Sequence, residues 1–330
     1  MIESYINKLF GQNSPDFAAL SVEAFNMQYQ NNQLYHHYSE LVHKHPGNVH
    51  RPEDIPFLPI SFFKTEKVRT LFHPESKKEA LVFESSGTTG LTTSRHYIYD
   101  TELYKRSFSA GFRQFYGEPQ SWCILALLPS YLERNNSSLV YMVNELMQQS
   151  GHAMNGFFLD EFDELHQRLQ QLEAQQQPTL LIGVSFALLD FSEQFPIPLK
   201  HTHVMETGGM KGRKRELTRE ELHAVLRERF GLAHIHSEYG MTELLSQAYA
   251  QQKGMFTASS TMRVLIREQD DPLTIKATGR GALNIIDLAN IHSCCFIATE
   301  DAGRIYADGS FEVLGRLDNA DARGCSMLAL

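Results

Sequence analysis

Two short segments hold the residue types that nucleotide chemistry needs. In Val82-Phe-Glu-Ser-Ser-Gly-Thr-Thr-Gly-Leu91 a strand-like run delivers a loop containing Ser85, Ser86, Gly87, Thr88, Thr89 and Gly90. Glycine lets the backbone turn its N–H groups toward one point, and hydroxyls add further donors, so such a loop can cradle phosphate oxygens. It lacks the Gly-Lys-Ser/Thr ending of the Walker loop, which argues against kinases and GTPases of that type. Its density of small polar residues also suits a flexible hairpin. The second segment, Ser237-Glu-Tyr-Gly-Met-Thr-Glu243, gathers an aromatic ring at Tyr239, a glycine at Gly240, a hydroxyl at Thr242 and a carboxylate at Glu243. Tyr239 can stack on a base, Thr242 can donate to a phosphate, and Glu243 can hold Mg2+, a hard cation that prefers carboxylate and phosphate oxygens. Taken alone, a buried tyrosine before a helix-opening Thr-Glu reads the same way.

The elements around these segments alternate. Over residues 138–149, Leu139, Val143, Leu146 and Met147 share a helical face and Gly151 is a stop; over 163–175, Leu165, Leu169 and Leu172 do the same. After Pro178 the apolar run 179–184 suits a strand buried on both faces. Thr218 with Glu221 makes a capping box for a helix with Leu222, Val225 and Leu226 inward and Gly231 at its end, and 233–237 is the next strand. Strands alternating with helices predict an α/β sheet. Residues 1–60 read as helices closing on the proline-punctuated stretch 51–60, a connector of fixed path, because proline lacks the donor that continues a helix or a central strand. Beyond Gly254, short strand-like pieces alternate with Asp-Asp-Pro, Thr-Gly-Arg-Gly, Asp-Ala-Gly and Asp-Gly turns, the pattern of a small β-rich unit. The expected division is an α/β core with N-terminal helices over 1–254 and a β-rich subdomain with a short tail over 255–330.

Composition narrows the function classes. A chain of 330 residues with 42% hydrophobic and 21% charged residues is ordinary for a soluble globular protein of more than one packed unit. Thirty basic against 39 acidic residues, net −9, exclude bulk attraction to nucleic acid or anionic lipid, so an anionic ligand must be held locally. The apolar runs 123–128 and 179–191 fall short of the ~18 residues of a membrane span, and residues 1–10 form no export leader, so the expected location is the cytoplasm. Cys123, Cys294, Cys295 and Cys325 fit neither a disulfide framework nor a metal pair, and Cys294-Cys295 lies in an apolar run that favours burial. His36, His37, His43, His45 and His50 match no zinc spacing and read as surface residues. The basic run Lys211-Gly-Arg-Lys-Arg215 suits a solvated face or a pyrophosphate contact, and Arg134-Asn-Asn-Ser-Ser138 a helix start that could meet an anion.

Together, the two chemical segments resemble the signature of the adenylate-forming superfamily of acyl and aryl ligases. In the family's order, Gly208-Gly209 is similar to the glycine pair beside the adenine. Thr299-Glu-Asp-Ala-Gly-Arg304 is similar to the segment whose aspartate, here Asp301, grips the ribose hydroxyls. Val313-Leu-Gly-Arg-Leu-Asp318 is similar to the segment whose arginine, here Arg316, contacts the nucleotide and whose aspartate, here Asp318, is the hinge. The matches span residues 83–324. The spacing from Arg316 to Gly324 is one residue shorter than in the usual ligase pattern, and the sequence given stops at Leu330, before the small mobile domain that carries the ligases' adenylation lysine. Within the superfamily the sequence resembles the acyl-protein synthetase (LuxE-type) family of bacterial bioluminescence, in Asp54-Ile-Pro-Phe-Leu-Pro-Ile-Ser-Phe-Phe-Lys64, in Ser94-Arg-His96 and in the ending Ala322-Arg-Gly-Cys325.

The resemblance implies an α/β fold like the N-terminal domain of adenylate-forming enzymes, with layered αβ subdomains, a small β-rich subdomain and no mobile C-terminal domain. It implies an AMP-forming long-chain-fatty-acid protein ligase that uses ATP and Mg2+. Ser85, Ser86, Gly87, Thr88, Thr89 and Gly90 would hold the β and γ phosphates and Glu243 the metal. Gly208, Gly209, Tyr239 and Gly240 would surround the base, with Asp301 and Arg316 on the sugar and Thr242 and Glu243 at the reacting phosphate. The acyl group would then move to Cys325 and on to a partner such as an acyl reductase. Arg323 beside Cys325 favours the thiolate, though a small hydrophobe anchoring the tail would look alike. Two other functions stand beside this one: a CoA or carrier-protein ligase of the phenylacetate-CoA ligase type, with an external thiol, and a non-catalytic subunit that binds nucleotide or acyl chain. Pyrophosphate release separates the last from the others.

Overall fold

A computed structural model describes residues 2–11, 16–72, 80–85, 93–128, 136–208, 217–268 and 271–317. In chain order its strands are β1 (Leu58–Pro59), β2 (Leu81–Glu84), β3 (Arg95–Ile98), β4 (Cys123–Leu127), β5 (Gly156–Phe158), β6 (Thr179–Val184), β7 (Thr202–Thr207), β8 (His236–Tyr239), β9 (Ala248–Ala250), β10 (Thr257–Ala258), β11 (Met262–Arg267), β12 (Ile275–Lys276), β13 (Gly279–Asp287), β14 (Phe296–Ile305) and β15 (Phe311–Arg316). Every residue of β4 and β6 is buried, as expected of apolar runs at the centre of a parallel sheet. Among the described residues that sheet runs β10-β9-β8-β7-β6-β4-β5, parallel from β8 to β5 and antiparallel at β9 and β10.

Helices cover both faces. Thr101–Tyr116, capped by Asp100, and Ser138–Ser150, capped by Ser137 and ended by Gly151 in the left-handed region, lie over one face, where Phe112 and Met142 meet Ile182 and Met205. Ser185–Gln194 and Arg219–Phe230 lie over the other, where Leu188 fills the space beside Gly183 and His223 approaches Ser237. Thr218 and Glu221 form the expected capping box, and Gly231 ends the helix at φ 64°. The strand expected at 233–237 instead begins at His236. Pairing with β7 starts at Met205, and Leu232 is still bonded back to Arg227 of the helix.

A second sheet runs β1-β14-β13-β11-β12, with β15 paired to β14. The connector at 51–60 supplies its edge: Leu58 and Pro59 lie parallel to Ile297 and Ala298, an edge position where proline is tolerated. Two of the expected turns are strand interior. Thr-Gly-Arg-Gly runs into β13 and Asp-Ala-Gly lies within β14, where Gly281 and Gly303 face each other. A Cβ on either would come within 2.6 Å of a backbone oxygen, of Arg267 or Glu312, so these glycines permit close strand approach rather than reversal. The reversal is at Asp308-Gly309, with Gly309 at φ 82°. The N-terminal helices hold the loop between β13 and β14: the Gln28 side chain bonds the Ile291 carbonyl and the Cys295 N–H, and Asn32 the Ser293 carbonyl. Cys294 and Cys295 are buried there as free thiols, and burial pushes Cys294 up to about 12. Among the described residues no helix is long and apolar enough to cross a membrane.

Candidate active site

Strands β7 and β8 deliver their carboxyl ends to one edge of the parallel sheet, the position at which open α/β sheets bind ligands. Beyond β7, Gly208 takes φ 70°, and its carbonyl accepts from the Ser185 hydroxyl at 2.8 Å. Beyond β8 the chain runs through Gly240, Met241 and Thr242 to Glu243. A Cβ on Gly240 would meet Glu238 Oε1, so a side chain there would have to displace that carboxylate.

The Glu243 loop is fixed from below. Asp287, wholly buried at the end of β13, accepts from the Leu245 N–H at 2.6 Å, the Ser246 N–H at 3.0 Å, the Ser246 hydroxyl at 2.6 Å and the Ala289 N–H at 3.2 Å. Asn290 donates to the Glu243 carbonyl at 2.8 Å. His96 of β3 donates from Nδ1 to the Thr242 carbonyl at 2.8 Å, and its Nε2 stands 3.0 Å from Asn290 Oδ1. Burial lowers the imidazole to about 4, although both contacts, each to an oxygen acceptor, favour the protonated ring.

The Glu243 carboxyl is 5% exposed, and burial raises its pKa against the opposing pull of the Ser94 hydroxyl and the more distant charges of Arg316 and Lys64. Through Ser94 it meets the root of the hairpin that joins β2 and β3. There the Ser85 N–H donates to the Ser94 carbonyl at 3.0 Å and the Ser94 N–H to the Ser85 hydroxyl at 2.9 Å. Mg2+ takes one or two carboxylates and completes its shell with phosphate and water. A single buried carboxylate, incompletely compensated and beside the root of the β2–β3 hairpin, fits that habit, and no group of three or more His, Cys, Asp or Glu converges among the described residues.

The other group of expected site residues lies across β8. Tyr239, 8% exposed, packs edge-on against Phe256 and Phe311 and donates its hydroxyl to Asp301 Oδ2 at 2.7 Å, so little of its ring is open. Asp301 sits where β14 exchanges its partner β1 for β15, and it pairs in register with Arg316. The guanidinium of Arg316, 77% exposed, stands 3.7 Å from Asp301 Oδ1. Burial raises the Asp301 pKa despite Tyr239 and Arg316.

Strand pairing and hydrogen bonds thus bring Ser85, Gly208, Tyr239, Gly240, Thr242, Glu243, Asp301 and Arg316 together around the carboxyl ends of β7 and β8. Ser86, Gly87, Thr88, Thr89, Gly90, Gly209, Asp318 and Cys325 lie outside the described residues, as do the basic run 211–215 and Arg134. Sequence reasoning gave His96 no role and missed Asp287, Asn290, Glu206, Arg219 and Glu238. The available signal for Asp287 is an acid closing the apolar run Leu283-Asn-Ile-Ile-Asp287. Arg219 bonds Glu206 at 3.0 Å and the Val313 carbonyl at 3.1 Å, tying β7 to β15. Burial alone would raise Glu206, but His223, Arg219 and Ser237 outweigh it and lower its pKa.

The architecture that carries this site is the mixed α/β fold of the N-terminal domain of adenylate-forming enzymes. It is similar to ATP-bound MatB from Rhodopseudomonas palustris (17% identity, TM-score 0.54, covering 71% of this chain and 47% of that one). It is also similar to the luciferase-like enzyme of the mealworm Zophobas morio (15%, 0.53, 73% and 58%). A third likeness is O-succinylbenzoate coenzyme A synthetase (MenE) from Bacillus subtilis, solved with ATP and magnesium ion (16%, 0.52, 73% and 51%). The chain spans about half the length of these proteins. The pattern of the acyl-protein synthetase, LuxE, family matches residues 7–329, and the chain belongs to that family. Among its relatives is the long-chain-fatty-acid–luciferin-component ligase of Aliivibrio fischeri, 23% identical over 333 residues that cover 92% of this chain and 85% of that protein.

Proposed function

We propose that the protein is an AMP-forming ligase of the cytoplasm that activates a carboxylic acid with ATP and passes the acyl group to a thiol. A carboxylate oxygen of the acid attacks the α-phosphorus; the new C–O–P link forms as the bond to pyrophosphate breaks, and pyrophosphate leaves with the electron pair. The sulfur of Cys325 then attacks the acyl carbonyl, a thioester forms, and AMP departs with the bridging oxygen. An acyl reductase is the partner proposed to receive the acyl group. The A. fischeri relative's name makes long-chain fatty acids the first class of acid to assay.

Little covalent work falls to the chain in the first step, so catalysis rests on positioning and charge neutralisation. The loop of Ser85 to Gly90 grips the outer phosphates, with Ser85 hydrogen-bonded to Ser94. Thr242, held through its carbonyl by His96, donates to the α-phosphate. Gly208 and Gly209 edge the base, and Asp301 with Arg316 takes the sugar. Mg2+, when bound at Glu243, offsets charge on the phosphates. Residues 1–254 act here as the α/β core, and 255–330 as the β-rich unit that brings Asp301 and Arg316 to it.

The observation that carries this reading is the Tyr239–Asp301 hydrogen bond, which joins residues 62 apart in sequence and unites the two sheets at the strand end that also bears Glu243. The test is product analysis with a panel of acids. AMP and pyrophosphate should appear only with acid present, and Glu243→Gln should stay folded and lose most of that activity. ADP and phosphate as products would refute adenylation, acyl-CoA made without labelled protein would identify an external thiol, and nucleotide binding without pyrophosphate would identify a non-catalytic subunit.

A further inference from the structure

Arg219 opens the helix Arg219–Phe230 directly after its Thr218 cap. Helix electrostatics disfavours a cation there, because the first turn already carries the positive end of the backbone dipole. Its tertiary partners account for the exception. Toward the α/β core, Arg219 Nε bonds Oε1 of Glu206, a buried carboxylate of β7. The other oxygen of Glu206 lies 3.4 Å from the Ser185 hydroxyl, which donates to the Gly208 carbonyl. Toward the β-rich unit, Arg219 Nη1 donates to the Val313 carbonyl of β15. The guanidinium also lies over the Phe256 ring, 5.1 Å from its centre, and Phe256 in turn stacks on Phe311 and backs Tyr239.

Val313 flanks an irregularity that aims Arg316. Asp301 pairs with Arg316 and Ala302 with Gly315, but Gly303 pairs with Val313, so the exposed Leu314 is an extra residue on β15. A bulge of this kind bends its strand and re-aims the side chains beside it. Arg219 thus holds β15 at the edge of the bulge with one nitrogen, and with another holds the strand that leads into Gly208. A guanidinium, planar and with its donors in a rigid fork, suits such a span, whereas lysine offers one compact ammonium on a flexible stem. Resting on the placement of ATP in the adenylation reading, we propose that Arg219 is a positioning residue: by joining Glu206 to Val313 it fixes the base-binding turn after β7 against the sugar-binding pair Asp301 and Arg316. It acts through these neighbours and not by contact with the nucleotide.

The experiment compares wild type, Arg219→Gln and Arg219→Lys by calorimetry with ATP and with pyrophosphate, by acid-dependent ATP–pyrophosphate exchange and by melting temperature. Both substitutions lose the span to Val313, so each should weaken ATP about tenfold, the worth of one charge-assisted bond to the sugar that is no longer aligned. KM for ATP should rise accordingly while KM for the acid stays. Pyrophosphate meets the outer-phosphate loop and not the nucleoside, so its affinity should not change. Lysine keeps a positive charge beside Glu206, so Arg219→Lys should melt near wild type and still bind ATP weakly, and it decides the matter alone if Arg219→Gln does not fold. A lysine variant that binds ATP as wild type does would reduce Arg219 to a counter-charge for Glu206 and overturn the positioning role. Pyrophosphate weakened as much as ATP in Arg219→Gln would make the effect one of charge at a distance and overturn it equally. Exchange with an unaltered KM for ATP in both variants overturns the positioning role and leaves adenylation standing. The expected pattern of ATP and pyrophosphate binding, without exchange for any acid, upholds the positioning role and sinks adenylation. Wild type that binds no ATP overturns both.

Discussion

Replacing Asp287 by asparagine should loosen the loop that carries Glu243 before it loosens anything else. The aspartate accepts four hydrogen bonds, two at each oxygen, and three of them come from backbone N–H groups. Asparagine keeps the shape but offers one acceptor oxygen, so its amide nitrogen must face one of the two donor pairs. Turned toward Leu245 and Ser246 it orphans two N–H groups. Turned the other way it orphans only the Ala289 N–H, because the Ser246 hydroxyl lies 2.7 Å from Thr261 Oγ1 and can rotate to donate there. The cheaper arrangement costs about 1–3 kcal/mol for the orphan, plus about 1 kcal/mol as the remaining bonds lose a charged acceptor. Relief from burying a charge, which raises the Asp287 pKa in the native protein, returns part of this. The net expectation is a loss of roughly 2 kcal/mol, and Asp287→Ala, which strands three backbone N–H groups, should lose at least twice that. Urea unfolding gives the global value, and hydrogen exchange at the Leu245 and Ser246 amides locates it. An asparagine variant within about 0.5 kcal/mol of wild type, the ordinary range of surface substitutions, with both amides still protected, would refute the anchoring role.

Asp301→Ala should weaken nucleotide at least about tenfold, the value of one charge-assisted bond, with little effect on acid affinity. Calorimetry on this variant and on Tyr239→Phe separates a ligand contact from the internal bond, and unchanged affinity in a folded Asp301→Ala protein would make Asp301 structural. Glu238 moves from 4.5 to about 7 on folding, so the native state holds that proton more tightly than the unfolded chain. The resulting destabilisation is absent below about pH 4, grows between the two values and is complete above about pH 7. Glu238→Gln should therefore gain roughly 3 kcal/mol on wild type between about pH 4 and pH 8, with the lowered histidines His96 and His236 cancelling in the comparison; a difference that does not change with pH would contradict this. Cys325→Ser should keep acid-dependent pyrophosphate exchange and lose the hydroxylamine-sensitive mass increase, while replacement of Cys123, Cys294 or Cys295 leaves the label in place. A Cys325→Ser protein that still carries thioester would move the nucleophile elsewhere.

Local sequence carried most of the parallel layer. The helices at Ser138–Ser150 and Arg219–Phe230 follow from an apolar stripe with a cap at one end and a glycine at the other, and β6 from an apolar run after proline. The β-rich part was less legible. Glycine marks a turn and a close strand approach alike, and only the pairing of Gly281 with Gly303 tells them apart. The edge strand at Leu58–Pro59 depends on a partner more than 200 residues away, which no local pattern announces. In the candidate site, residues that face a ligand stood out as clustered polar types. Those that hold them in place, such as His96, Asp287 and Asn290, did not, because their role is made by long-range hydrogen bonds.

The central claim is that a carboxylate oxygen attacks the α-phosphorus of ATP at this site. Acid labelled with oxygen-18 in its carboxyl group tests it directly, because thiol attack on the acyl carbonyl leaves the bridging oxygen on AMP. Mass spectrometry of AMP from a reaction with a turned-over acid should show one labelled oxygen per molecule formed from fully labelled acid, and none when the acid is unlabelled. AMP that stays unlabelled while acid is consumed would mean that ATP is split without an acyl adenylate, and the account would fail.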